Sequence, residues 1–223
     1  FISSQAFIII AMEQPIVTIY HTEWQVDNPD PSWMTALEAG KVLYFPHLTF
    51  SVDEAEKRFF TPAIRDPSAR NISFDTNSHL KGAVGDTDTR AALAAMIARF
   101  GQQAQRLIDT LFPYYRGALR RAPTSYRPEP VERRVQSWRA DDRRLHVDAF
   151  PSRPNYGERI LRIFSNVNPE RVPRVWRVGE PFEAIAERFL PNTKSYSAWR
   201  AKWLYRQRIT KSLRGEYDHL MLQ

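Results

Sequence analysis

The spacing of apolar residues changes twice along the chain. Up to residue 74 they come in short β-branched or aromatic runs. Ile16–Tyr20 and Lys41–Phe45 read as strands, and Asn71–Phe74 as a further short one. Pro29, Pro31 and the neighbouring aspartates make a turn, and Ser32–Ala39 then reads as a short helix closed by Gly40. Ser51-Val52-Asp53-Glu54 reads as a capping box that opens a helix running to Phe60. The second texture is helical. Leu93, Met96, Ile97, Phe100, Ala104, Leu107, Ile108 and Leu111 follow three-to-four spacing, with Thr87 or Thr89 placed to cap the helix and Pro113 to stop it. Such a stripe belongs to a support helix that faces a core.

Beyond residue 124 the period shortens. Thr124–Pro128 reads as a loop, and Arg133–Trp138 has strand character. Leu145–Phe150 alternates, which puts His146, Asp148 and Phe150 on one face. Ile160–Val167 is an apolar strand interrupted by Arg162, and Pro173–Val178 is another that ends at Gly179. Glu183–Phe189 reads as a helix closed by Pro191, followed by helical Trp199–Ile209 and Leu213–Leu222. Helices with a few strands, then a run of short strands, then helices again describe an α+β fold whose β part is a sandwich or barrel. There is no internal repeat, glycine-rich phosphate loop or low-complexity tract.

Composition narrows the chemistry. The 223 residues hold no cysteine, which excludes a disulfide framework, a thiolate metal site and a cysteine nucleophile. Any metal must be held by histidine, carboxylate and water. A chain of this length buries a sizeable core. Its 32 basic and 25 acidic residues give a net charge of +7, and that excess is concentrated. From Arg116 to Arg177 there are fifteen arginines, no lysine and seven acids. The planar guanidinium fork suits carboxylates and phosphates, so an anionic partner is expected. No known nucleic-acid motif accompanies the arginines, and nucleic acid is the least favoured anion.

Both ends bear on extent. The apolar run Phe7–Ile10 is too short to span a membrane, which takes about 20 apolar residues, and no positive region precedes it as in a signal peptide. Residues 1–11 therefore read as a non-native or upstream leader before a natural start at Met12. The helical pattern runs to Gln223 without a cap or breaker, so the chain is expected to be cut within a helix. A single domain is expected over 12–223, with helical and β support over 12–123, the start of a β core over 124–182 and a helical insertion over 183–223.

The candidate chemistry is His146-Val147-Asp148. An imidazole and a carboxylate two apart on a strand can grip one metal ion. They supply two of the three ligands of the two-histidine-one-carboxylate facial triad of non-haem iron(II) oxygenases, which leaves positions open for a 2-oxo acid and dioxygen. By itself the triplet is common, and a surface His–Asp pair is its ordinary meaning. His21, His47 and His79 lack metal-ligand spacing, and the adjacent Asp141 and Asp142 would face opposite sides of a strand.

Longer segments carry more. Arg143 to Pro154, Gly157, and Arg159 to Pro169 resemble the Kdo hydroxylase family. So do Thr124–Pro128, Ser137-Trp138-Arg139 with Asp141-Asp142, Arg174 to Phe182, and Tyr217–Met221. The resemblance runs from about Trp24 to Gln223 and is densest between Thr124 and Phe182. It implies an Fe(II)- and 2-oxoglutarate-dependent dioxygenase that uses O2 to hydroxylate C3 of 3-deoxy-D-manno-oct-2-ulosonic acid (Kdo) in the lipid A–inner core of lipopolysaccharide. The implied fold is a double-stranded β-helix of the jelly-roll or cupin type with helical support at both ends.

Residue by residue, the resemblance puts His146 and Asp148 at the first two iron ligands. Its distal histidine lies on a later strand. The only histidine after Asp148 is His219, in a helical segment, so the third ligand is expected beyond Gln223 and this stretch alone is expected to be inactive. Arg162 is the leading partner for the distal carboxylate of 2-oxoglutarate, with Arg159 as the alternative and Asn166 on the same strand face as Arg162. Arg127, Arg139, Arg143, Arg174 and Arg177 are candidates for the sugar carboxylate or lipid phosphates. Trp138 and Trp176 read as core rather than sugar platforms. The implied partner is Kdo-lipid A, met at the cytoplasmic face of the inner membrane by a cytoplasmic, peripherally bound enzyme. Two alternatives stand beside this reading: an oxygenase for another anionic substrate, and a non-enzymatic basic domain that binds nucleic acid or membrane.

Overall fold

The computed structural model describes residues 15–129, 146, 158–170, 172–174, 177–192, 196–210 and 213. The chain forms two compact units: Phe1–Val135 with Ile163–Val175, and Gln136–Arg162 with Trp176–Gln223.

The first unit begins with a β–α–β element. β1 (Ile16–Thr18) and β2 (Val42–Tyr44) pair in parallel, Val17 opposite Leu43, and α1 (Pro31–Glu38) connects them. Asp30 caps α1 by accepting the Ser32 amide at 2.8 Å, and Pro31 sits in the first turn where its missing N–H costs nothing. Gly40 follows with φ +81°, the left-handed conformation that ends a helix.

A capping box does open the next element, but its first residue is Asp53, not Ser51. Ser51 stands three residues before Glu54 and Asp53 three before Glu56, and it is the Asp53 amide that donates to a glutamate, Glu56, at 2.9 Å. The element is a 3₁₀ helix, Glu54–Phe59, rather than an α-helix. A three-stranded antiparallel sheet follows, in the order β4 (Leu80–Lys81), β3 (Ile72–Phe74), β5 (Thr124–Tyr126). The segment read as a loop from Thr124 thus begins as a strand, Ile72 opposite Tyr126.

The amphipathic helix α2 (Thr87–Leu111) lies against this sheet. Its cap is Asp86, not Thr87 or Thr89. The Asp86 carboxylate accepts the Thr89 amide at 2.8 Å and puts a negative charge at the positive end of the helix. Leu93, Met96, Ile97, Leu107, Ile108 and Leu111 are buried as the spacing predicts. Phe59, Ile64, Ile72, Ala83, Leu93, Met96, Ile97 and Tyr126 make one core, against which Val167 also packs. Each such large side chain contributes about 1.5–3 kcal/mol on burial. Arg99 ties α2 to the 3₁₀ helix, donating to Glu56 at 2.6 Å and to the Ser51 carbonyl at 2.9 Å while lying over the Phe50 ring.

In the second unit α3 (Phe182–Phe189) runs into a 3₁₀ turn, Leu190–Asn192, and Arg188 pairs with Glu180. α4 (Ala198–Arg206) is capped by Ser197, whose hydroxyl accepts the Arg200 amide at 3.2 Å. It is shorter than the predicted Trp199–Ile209. Arg208 is left-handed (φ 56°), so its amide bonds back to the Tyr205 carbonyl and that of Ile209 to the Leu204 carbonyl, each at 3.0 Å. This is the closure that helices usually make with glycine.

Residues 160–167 differ from expectation. Among the described residues they pair with no strand, although exposure alternates along them: Leu161, Ile163, Ser165 and Val167 are half-buried, and Arg162, Phe164 and Asn166 are exposed. Residues 172–174 and 177–179 of the predicted Pro173–Val178 strand are likewise without a ladder. The predicted strands Arg133–Trp138 and Leu145–Phe150, apart from His146, lie outside the described residues, as does helix Leu213–Leu222 apart from Leu213. Among the described residues no helix is long and apolar enough to cross a membrane.

Candidate metal and cosubstrate site

The arginine-rich stretch leaves the first unit from a firmly held strand. Tyr126 points into the core and donates its hydroxyl to the Phe59 carbonyl at 3.0 Å. Its neighbour Ser125 points outward, where Asn71 donates to its hydroxyl at 2.8 Å. Burial pushes the Tyr126 phenol well above the ordinary tyrosine range. Three residues on, Glu129 accepts from Arg65 at 3.0 Å in a mostly buried pair, 16% and 18% exposed. Arg65 also donates to the carbonyls of Asp66 and Ala69. Arg127, between these anchors, is exposed. The sequence reading missed both anchors. The alternation of Thr124 and Tyr126 was the available signal, masked by the flanking Pro123 and Pro128.

His146 is exposed and in irregular backbone. Its expected companion Asp148 lies outside the described residues, as do Arg139, Arg143, Trp138, Trp176, Asp141, Asp142 and His219. Among the described residues no three histidine or carboxylate side chains group as a metal cage. Arg159, Arg162, Arg174 and Arg177 are all exposed.

Asn166 has a structural task. Its amide donates to the Val172 carbonyl at 2.9 Å, and its side-chain oxygen accepts the Asn168 amide at 3.2 Å. Asn168 repeats the motif by accepting the Glu170 amide at 2.8 Å. These asparagine turns shape the bend after residue 166.

Comparison with known proteins identifies the family. The family described as 3-deoxy-D-manno-oct-2-ulosonic acid (Kdo) hydroxylase matches residues 21–223. Among solved structures, the chain is similar to the Kdo hydroxylase KdoO, a non-heme Fe(II) alphaketoglutarate dependent dioxygenase, in complex with cobalt(II). Identity is 40% and the TM-score 0.81, over 94% of this chain and 71% of that one. The same hydroxylase in complex with alphaketoglutarate and Fe(III) matches at 39% identity and TM-score 0.79, with the same coverage. Its apo structure matches at 40% and 0.80, again over 94% and 71%. No curated protein matches the chain.

Proposed function

The chain belongs to the Kdo hydroxylase family, and from that premise we propose how its residues serve the reaction. The protein is an Fe(II)- and 2-oxoglutarate-dependent dioxygenase that hydroxylates Kdo. The observation that carries this is 39–40% identity across 94% of the chain to a hydroxylase solved with Fe(III) and alphaketoglutarate.

His146 and Asp148 hold the iron. The i, i+2 spacing and the hard–borderline donor pair fit a redox-active divalent ion with open positions. Bound iron supplies the activation of dioxygen, with oxidation of 2-oxoglutarate to succinate and carbon dioxide coupled to conversion of a C–H bond to C–OH. The chain's own work is positioning. Arg162 takes the distal carboxylate of 2-oxoglutarate in a bidentate fork, with Arg159 next to it in sequence order as the second candidate. Asn166 shapes the turn that follows. Arg127, Arg139, Arg143, Arg174 and Arg177 meet the sugar carboxylate and nearby phosphates. The reacting carbon is C3, and the acceptor is Kdo carried on lipid A. The β core that holds these residues is a double-stranded β-helix, and the enzyme works in the cytoplasm at the inner-membrane surface, where arginines face anionic headgroups.

The test is succinate formation from 2-oxoglutarate, dependent on Fe(II), oxygen and Kdo-lipid A, in the full-length wild-type protein and in its His146→Ala variant. Loss of both turnover and iron binding in the variant is expected. Full turnover by His146→Ala would refute the ligand assignment.

A further inference from the structure

The end of α4 holds a second site with a different character. Tyr205, Arg206, Arg208 and Thr210 line a cavity of about 470 Å³. It opens broadly to solvent, and its volume is larger than one phosphate needs. Among the described residues neither Arg206 nor Arg208 has a carboxylate within ion-pair reach. The sequence supplies none nearby: between Glu187 and Glu216 it carries eight cations and no acid. The Thr210 hydroxyl oxygen is shielded from water and, among the described residues, has no hydrogen-bond partner. A polar atom left so is costly, and a ligand that pairs with it recovers the loss.

Arg208 adds an independent sign. It occupies the left-handed position where glycine would sit without strain (φ 56°). A side chain kept at a strained backbone position points to a task for that side chain. The negative end of the helix dipole, about half a charge, opposes an anion here. Two guanidinium charges outweigh it, and the Leu204 and Tyr205 carbonyls are already taken by backbone amides.

We infer that this cavity binds a phosphomonoester group. Arg206 and Arg208 supply the forks, the Tyr205 and Thr210 hydroxyls are further donors, and the volume admits the group to which the phosphate is attached. Guanidinium forks that have no carboxylate partner among the described residues suit a phosphate oxyanion. The site does not depend on the oxygenase reading.

The experiment uses the whole chain, Arg206→Gln and Arg208→Gly, titrated calorimetrically with inorganic phosphate and sedimented with phosphatidylcholine vesicles with and without phosphatidic acid. Saturable phosphate binding is expected, weakened about tenfold by each substitution. Arg208→Gly is expected to raise the melting temperature as it weakens binding, because glycine relieves the backbone. Vesicle retention that needs phosphatidic acid and is displaced by phosphate identifies a lipid source. Phosphate binding without retention identifies a soluble one. The proposal is overturned if phosphate does not bind, if both variants bind it as the wild type does, or if Arg208→Gly only destabilises.

Discussion

The hydroxyl of Tyr126 and the carbonyl of Phe59 meet at 3.0 Å inside the first unit, 67 residues apart in sequence. One bond joins the last strand of the sheet to the 3₁₀ helix that floors it. Tyr126→Phe leaves the Phe59 carbonyl without this donor and is expected to cost about 1 kcal/mol at neutral pH, measured by denaturant unfolding. The pH dependence has a definite sign. The folded phenol titrates above its ordinary value of 10.0, so its contribution is complete below that pH and is lost as pH rises beyond it. The advantage of wild type over Tyr126→Phe should therefore shrink in alkaline solution. An advantage that grows above that pH would contradict the assignment.

Asp86 behaves in the opposite sense. The Thr89 hydrogen bonds hold its carboxyl below the ordinary 3.8. Its contribution is present above that pH and lost as pH falls through the lower, folded value. Asp86→Ala is expected to lower the melting temperature by a few degrees at pH 7, with the difference fading in acid. Equal melting of the two proteins at pH 7 would show that the cap is inert.

The Arg65–Glu129 pair is largely shielded. Glu129→Gln should cost about 1–2 kcal/mol, and the loss should change little between low and high salt because screening acts mainly on exposed charges. A loss that vanishes in 1 M salt would place the pair at the surface energetically.

Arg162→Lys keeps the charge and removes the fork. It is expected to raise KM for 2-oxoglutarate about tenfold or more with a smaller change in kcat. An unchanged KM would transfer the role to Arg159 or another arginine, which the same assay on Arg159→Lys tests.

Much of the first unit was legible because local chemistry and packing agree there. Leu93, Met96, Ile97, Leu107, Ile108 and Leu111 were read off the helical period, and β1, β2 and β3 off β-branched runs. Errors arose where two residues competed for one task. Ser51 and Asp53 each stand three residues before a glutamate, so spacing leaves both as caps, and the hydrogen bond from the Asp53 amide to Glu56 separates them only in the folded chain. Asp86 precedes two threonines that could each have capped α2. β5 was hidden because its pairing with β3 is set by residues 50 to 54 positions away, which no local period records. At the candidate site the motif pointed to chemistry rather than backbone. His146-x-Asp148 and the arginines suggested iron and a dicarboxylate. The segment around Arg162 pairs with no strand among the described residues, and the strands expected beside it, Arg133–Trp138 and Leu145–Phe150, lie outside them apart from His146.

The pairing of Ile72 with Tyr126 also orders events during synthesis. At roughly 5–20 residues per second, the ribosome delivers Tyr126 some 3–10 s after Ile72. In that interval α2 can form, but its apolar face has only part of its core, and the open edge of β3 offers unpaired backbone groups. Nascent chains that end before Thr124 are expected to stay protease-sensitive in this region, and chains extended past Glu129 to become resistant. Protection already present in the shorter chains would show that the sheet does not wait for its third strand.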